Sequence, residues 1–137
     1  MSILKTIYDP NGRYQIVKVK LGKEIFTLVN IYGPNNDDPL FFNTFFSKLL
    51  HHSNTNIIIG GDFNIVLNNV LDKLNGPKHN NQKAQKEVKD QMKTLNLIDV
   101  FRELYPNKKE FTRFQSNSPT ATRLDFFLTA KNFFHES

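Results

Sequence analysis

Asp62 and Asn64 stand two positions apart in IIIGGDFN, at the end of a β-branched run, and are the pair in this chain best suited to phosphoryl chemistry. A carboxylate can orient an attacking water or accept its proton. An amide N–H can donate to a phosphate oxygen as charge develops there. Gly60 and Gly61, just before them, permit angles and close approaches that other residues resist. A strand ending here can turn sharply and deliver side chains into a crevice. If the backbone stays extended, Asp62 and Asn64 point the same way and Phe63 points oppositely, into packing. The same residues also suit a plain turn in which both side chains bond only local backbone.

Three more residues of this character sit near strand ends. Tyr32 closes IYGPN, where its hydroxyl can reach a phosphate or simply mark a sheet edge. Thr112 follows Phe111 in EFTRF, an ordinary place for a strand threonine. Asp125 lies within TRLDFFLTA, on the face shared with Arg123, Phe127 and Thr129. A carboxylate inside an apolar strand needs a partner. Arg123 in an ion pair is one candidate; a histidine held in one tautomer is another.

The elements that must position these residues are legible from periodicity. RYQIVKVKL, Arg13 to Leu21, alternates as a half-exposed strand with Val17, Val19 and Leu21 on one face and Lys18 and Lys20 on the other. Gly22-Lys23 makes a two-residue turn. EIFTLVNIY, Glu24 to Tyr32, is apolar on both parities, which predicts a strand buried on both faces. Asp38-Pro39 opens a helix with a capping carboxylate and a first-turn proline. Phe41, Phe42, Phe45, Phe46, Leu49 and Leu50 then recur at helical spacing, as core packing, and His51, His52 and Asn54 mark its end. TNIII, Thr55 to Ile59, is the next strand. Residues 68 to 82, with Pro77, read as a surface loop. A second helix over about Lys83 to Leu95 packs Ala84, Val88, Met92 and Leu95, with Lys86, Lys89 and Lys93 on a solvated face. Leu97, Val100, Phe101 and Leu104 predict a short helix stopped by Pro106. Phe111 to Phe114 and Arg123 to Thr129 are the last strands, joined by QSNSPTAT. The order defines a mixed α/β layered arrangement.

A chain of 137 residues is one domain or part of a larger one. Its net charge of +5 favours polyanionic partners. With no cysteine, disulfides and thiolate metal sites are excluded, which fits an intracellular setting, nuclear or cytoplasmic. MSILKTIYDP is interrupted too soon for a signal peptide, and no apolar run approaches a membrane span. The expectation is a soluble, non-secreted protein without a membrane partner.

IYGPN, IIIGGDFN, NLIDVFRELYPNKKEFTRF and TRLDFFLTA, in this order, resemble the endonuclease/exonuclease/phosphatase superfamily. The nearest likeness is to the endonuclease domain of LINE-type retrotransposons, and it runs from about Arg13 to Ala130. The resemblance implies an α/β fold, a four-layer αββα sandwich present here in incomplete form across residues 1–137. It implies a Mg²⁺-dependent phosphodiesterase acting on DNA. In it Tyr32 matches a phosphate-binding tyrosine, and Asp62 the aspartate that positions or deprotonates the attacking water. Asn64 matches an asparagine that binds the scissile phosphate, Thr112 a phosphate-contacting threonine, and Asp125 the carboxylate that orients a catalytic histidine.

The sequence also departs from that pattern. Nothing before Arg13 resembles the opening strands that carry an Asn and a metal-binding Glu, and Glu24 has the wrong surroundings. No Ser-Asp-His motif follows Asp125, and His135, His51, His52 and His79 do not fit the histidine's place. The expectation is a fragment that keeps the water-activating and phosphate-holding half and lacks the main Mg²⁺ ligand, hence weak or inactive alone. A sheet face left open is expected to promote self-association. Two alternatives stand beside this reading: a non-catalytic remnant that binds nucleic acid or a protein, and a related phosphoesterase with a lipid or small-molecule substrate.

Overall fold

The computed structural model describes residues 1–52, 56–75 and 81–136, without the side chains of residues 133, 135 and 136. Pro77, His79, Asn54 and Thr55 therefore lie outside the described residues, and so does the side chain of His135.

The chain runs β1 (Ser2–Tyr8), β2 (Tyr14–Leu21), β3 (Glu24–Tyr32), α1 (Pro39–His52), β4 (Ile57–Asp62), β5 (Lys73–Leu74), α2 (Gln82–Leu95), β6 (Leu97–Asp99), α3 (Val100–Leu104), β7 (Arg113–Phe114), β8 (Ala121–Thr122), β9 (Asp125–Ala130) and α4 (Lys131–Glu136). One six-stranded sheet has the order β1-β2-β3-β4-β9-β6, and a small second sheet has the order β5-β8-β7. The architecture is mixed α/β, as the periodicity predicts. β2 and β3 form a hairpin across Gly22-Lys23, with Gly22 at φ 64°. β3 and β4 are parallel and joined through α1; β9 returns antiparallel beside β4.

The core lies between α1, α2 and one face of the large sheet. α1 starts where expected: the Phe41 N–H donates to Asp38 Oδ1 at 3.1 Å, beside Pro39. Phe42, Phe45, Phe46 and Leu49 are fully buried against Ile16, Val29, Ile31, Ile59 and Leu128. Each such side chain contributes about 1.5–3 kcal/mol relative to exposure. Leu50, at the same nominal spacing, is exposed because it falls off that stripe. α2 buries Ala84 and Val88 as predicted and is tied to the start of α1 by Asp37, whose carboxylate accepts the Lys83 and Ala84 N–H groups. Lys86 pairs with Asp90 on the solvated side of α2.

Several expectations are overturned. β3 alternates instead of being buried on both faces: Thr27, Val29 and Ile31 are buried, while Leu28, Asn30 and Tyr32 are exposed. The helices cover one face, and the opposite face, with Val17, Leu28, Ile58 and Phe127, borders an open apolar groove. In β2 burial falls on both parities: Val19 is buried as expected, but so is Ile16, on the face of Lys18 and Lys20, and Leu21 is exposed. Leu97 begins a strand, β6, because its backbone pairs with Ala130; the helix starts only at Val100, capped by Asp99. Ser2–Tyr8 forms an edge strand that the sequence reading passes over. The stretch 68–82 is no simple surface loop, since Asp72 within it is fully buried.

Asp72 anchors a buried charge network. Arg123 Nε donates to Asp72 Oδ1 at 2.8 Å, and Arg102 Nη2 donates to the same oxygen at 2.6 Å. Arg123 also pairs with Asp99 through both terminal nitrogens. Two carboxylates and two guanidiniums offset one another's charge where single charges would be costly, with Arg102 Nε left without a hydrogen-bond partner among the described residues. The network ties β6 and α3 to the segment leading into β9.

Candidate active site

The sheet register gathers three of the five residues singled out above. Tyr32 is the Cα partner of Asp62 across β3–β4, and Asp62 is the partner of Asp125 across β4–β9. Three neighbouring strands thus place Tyr32, Asp62 and Asp125 in one row at the end of the sheet, on the face away from the helices. Tyr32 is half exposed, with the Arg13 guanidinium 5.0 Å from the centre of its ring. Asp62 is half-buried and Asp125 exposed.

Glycines make the corner possible. Gly61 sits at φ 138°, and a Cβ there would lie 2.0 Å from the Ile31 carbonyl oxygen. A Cβ on Gly33 would lie 2.2 Å from the Phe63 carbonyl oxygen. The two strand ends therefore approach backbone to backbone, and the Gly33 N–H donates to the Asp62 carbonyl at 2.7 Å. Phe63 points away from the site as expected: it is fully buried and stacks on Phe126 with centroids 4.2 Å apart.

Asn64 does not continue the strand. It adopts left-handed backbone at φ 55°, so it does not project alongside Asp62. The Asn64 N–H donates to Asp62 Oδ1 at 2.9 Å, an Asx-type turn. Its Nδ2 donates to the Gly33 carbonyl at 2.6 Å, and its own carbonyl accepts from Asn81 Nδ2 at 3.0 Å. The side chain clamps the β3 and β4 ends together and retains a second amide hydrogen.

Thr112 joins the group through backbone. Its Oγ1 accepts the N–H of Leu124 at 3.0 Å and of Asp125 at 3.2 Å. With both lone pairs engaged, its O–H hydrogen is left to donate. Arg123 does not pair with Asp125, because the Asp72–Asp99 network holds it. The described histidines, His51 and His52, end α1 and so lie at the far end of the sheet from Asp125.

Beside Asn64 a polar cleft is lined by Asn35, Lys73, Asn81, Arg113 and Thr122. Lys73 and Arg113 put positive charge on its wall. The sequence reading missed these residues; the one signal for Arg113 is its place directly after Thr112. The Asp62 carboxyl is held above its ordinary value, chiefly by burial and further by the Asp125 charge, against the Asn64 N–H and Arg113. A carboxylate raised in this way is a better proton acceptor near neutrality.

The resemblance implies a bound Mg²⁺, which needs a set of oxygen ligands among these side chains. Among the described residues no three His, Cys, Asp or Glu side chains come together as a metal site. Asp62 and Asp125 offer at most a pair, and one oxygen of Asp62 already accepts a backbone N–H. The described residues do not fit a self-sufficient metal centre.

No family model matches the chain. Solved structures do. The endonuclease domain of TRAS1, a telomere-specific non-LTR retrotransposon, matches with a TM-score of 0.66 at 13% identity, over 96% of this chain and 57% of that one. The 3′ phosphatase NExo from Neisseria, solved with a product DNA hairpin, matches with a TM-score of 0.72 at 15% identity, over 96% and 60%. The AP endonuclease LMAP from Leishmania major matches with a TM-score of 0.66 at 17% identity, over 88% and 46%. This chain thus shares the fold of endonuclease/exonuclease/phosphatase-type enzymes, and it spans about half the length of these structures. Among the described residues no helix is long and apolar enough to cross a membrane.

Proposed function

We propose that this chain carries the water-orienting and phosphate-holding part of a nucleic-acid phosphodiesterase, of the DNA endonuclease kind found in LINE-type retrotransposons. The observation that carries the reading is the register row Tyr32–Asp62–Asp125 beside a polar, basic-walled cleft. In it Asp62, with its raised proton affinity, orients a water and takes its proton. The hydroxyls of Tyr32 and Thr112 and the Asn64 amide donate to the phosphate. Burial raises that proton affinity first, and the charge of the neighbouring Asp125 adds to it.

The reaction also needs charge neutralisation at the phosphate and a proton for the leaving oxygen. Metal dependence belongs to the proposal only with Mg²⁺ held chiefly by groups other than these five, so no step is routed through it. A nuclear or cytoplasmic site of action belongs to the same reading. The test is nicking of supercoiled plasmid with Mg²⁺ present. Any nicking by the chain should vanish in Asp62→Ala, and nicking that survives that change would remove Asp62 from the role.

A second reading, a non-catalytic nucleic-acid binder, is favoured by the lack of a three-ligand cluster among the described residues. It predicts salt-dependent DNA binding with no nicking under any metal. Self-association through the uncovered sheet face is compatible with both readings and is supported by the exposure of Leu28 and Phe127.

A further inference from the structure

A second cluster of like charge lies at the other end of the six-stranded sheet, on the helix-covered side. Lys5 on β1 and Lys18 on β2 are direct Cα partners. His51 and His52 lie in the last turn of α1, with Lys48 one helical turn before His52, and the two imidazoles are 4.8 Å centre to centre. His52 is held below its ordinary value, first by desolvation and then by the charges of Lys5, His51, Lys48 and Lys18. Every charge acting on it is positive, so the three lysines and two histidines share one locality. None of the lysines has an ion pair among the described residues.

The register shows how Lys5 comes to be there. Ser2 pairs with Lys20 and Ile3 with Val19, but Lys5, not Leu4, pairs with Lys18. In a regular ladder Leu4 would face Lys18, and Lys5 would turn to the opposite side of the sheet. The bulge at Leu4 re-aims Lys5 across from Lys18, a use to which bulges are commonly put. The outcome opposes local stability, because like charges directly opposite one another repel. A rule broken locally without a compensating contact marks a place where function is to be sought.

We infer that Lys5, Lys18 and Lys48, with His51 and His52, form a binding surface for the phosphate backbone of nucleic acid, separate from the row at Tyr32, Asp62 and Asp125. A nucleic-acid strand carries one charge per about 3.4 Å of duplex axis, so several phosphates fall on a patch built from two strands and a helix turn. The choice of nucleic acid over anionic lipid rests on the function proposed above. The surface lets the chain hold a strand away from the point of attack, by charge and without reading sequence.

The test is fluorescence anisotropy of a labelled duplex oligonucleotide with the whole chain, across a series of salt concentrations. The double variant Lys5→Gln, Lys18→Gln should weaken binding about 10-fold at low salt and reduce the log–log salt slope by about two. The variant Lys86→Gln, Lys93→Gln, with the same change in net charge on α2, should leave both nearly unchanged. Lys5→Gln alone should melt no lower than the parent, which separates lost binding from lost folding. The inference is overturned if the Lys5/Lys18 variant binds as the parent does, or if both double variants lose affinity equally. It is also overturned if the parent binds no oligonucleotide at low salt, or binds phosphatidylserine vesicles through these lysines and no oligonucleotide. Nicking plays no part in this readout, so a failure of the proposed reaction would be seen separately.

Discussion

Asp62 and Asp125 are direct partners across the antiparallel β4–β9 ladder, two carboxylates set opposite one another at the end of the sheet. Burial, and then the Asp125 charge, hold the Asp62 carboxyl above its ordinary 3.8. The folded state therefore binds this proton more tightly than the unfolded chain does. Stability from this group is greatest below pH 3.8 and falls as pH rises from there through the raised folded value. Asp62→Asn removes that cost and keeps an oxygen for the Asn64 N–H. It should raise the melting temperature at pH 7 and leave it unchanged at pH 3. Asp125→Asn should move the Asp62 titration, followed by NMR, towards lower pH. A lower melting temperature for Asp62→Asn at pH 7 would contradict this account of the pair.

Gly60 and Gly61 are adjacent yet should respond differently to alanine. At Gly61 the positive φ and the Ile31 carbonyl at 2.0 Å leave no room for a Cβ, and backbone cannot move aside cheaply. Gly61→Ala should cost roughly 2–4 kcal/mol. At Gly60 the obstruction is the Phe127 ring at 2.5 Å, and that ring is exposed and can swing away. Gly60→Ala should cost less than about 1 kcal/mol. Urea melts of the two variants check the contrast, and equal costs would refute it.

Arg123 is 3% exposed and holds two buried carboxylates, Asp72 and Asp99. Arg123→Met keeps much of the packing but leaves those charges facing each other with only Arg102 for relief. The expected loss is about 3–5 kcal/mol, a large part of the total for a domain of this size. A denaturant midpoint within experimental error of the parent would show that the network is dispensable.

The uncovered sheet face should make the chain associate. Leu28 is 38% exposed and Phe127 60% exposed, and both line one apolar groove. Apolar surface of this kind is normally covered. The parent should elute from a sizing column as more than a monomer at micromolar concentration, and Leu28→Glu with Phe127→Glu should shift it to a monomer. A cooperative melt from a clean monomer of the parent would dismiss the expectation.

How much of this was readable beforehand depended on whether the deciding contact was local. Helix α1 was legible because its cap, Asp38, and its phenylalanine stripe are written within one segment. The inward turn of Phe63 was legible from strand alternation. The burial of Asp72 was not, because its partner Arg123 lies 51 positions away and an Asn-rich stretch reads as solvent-exposed. Asn64 was half legible: its turn onto Asp62 is local and was one of the readings the sequence allowed, whereas the Gly33 carbonyl that accepts its amide lies 31 positions away. β3 was misread because two-sided apolarity reports what a strand tolerates, and only the tertiary arrangement decides which face is covered. The site residues were legible as types, whereas Arg113 and Asn81 came into view only once the loops were placed.

The central claim is that Tyr32, Asn64 and Thr112 meet a phosphodiester beside Asp62. The most direct measurement is a ¹H–¹⁵N NMR titration of the chain with a short DNA oligonucleotide at low salt. The account predicts progressive shifts at Tyr32, Asp62, Asn64, Thr112 and Asp125, the last two weakened together by Thr112→Val. An oligonucleotide that binds and leaves those five amides unmoved would contradict it.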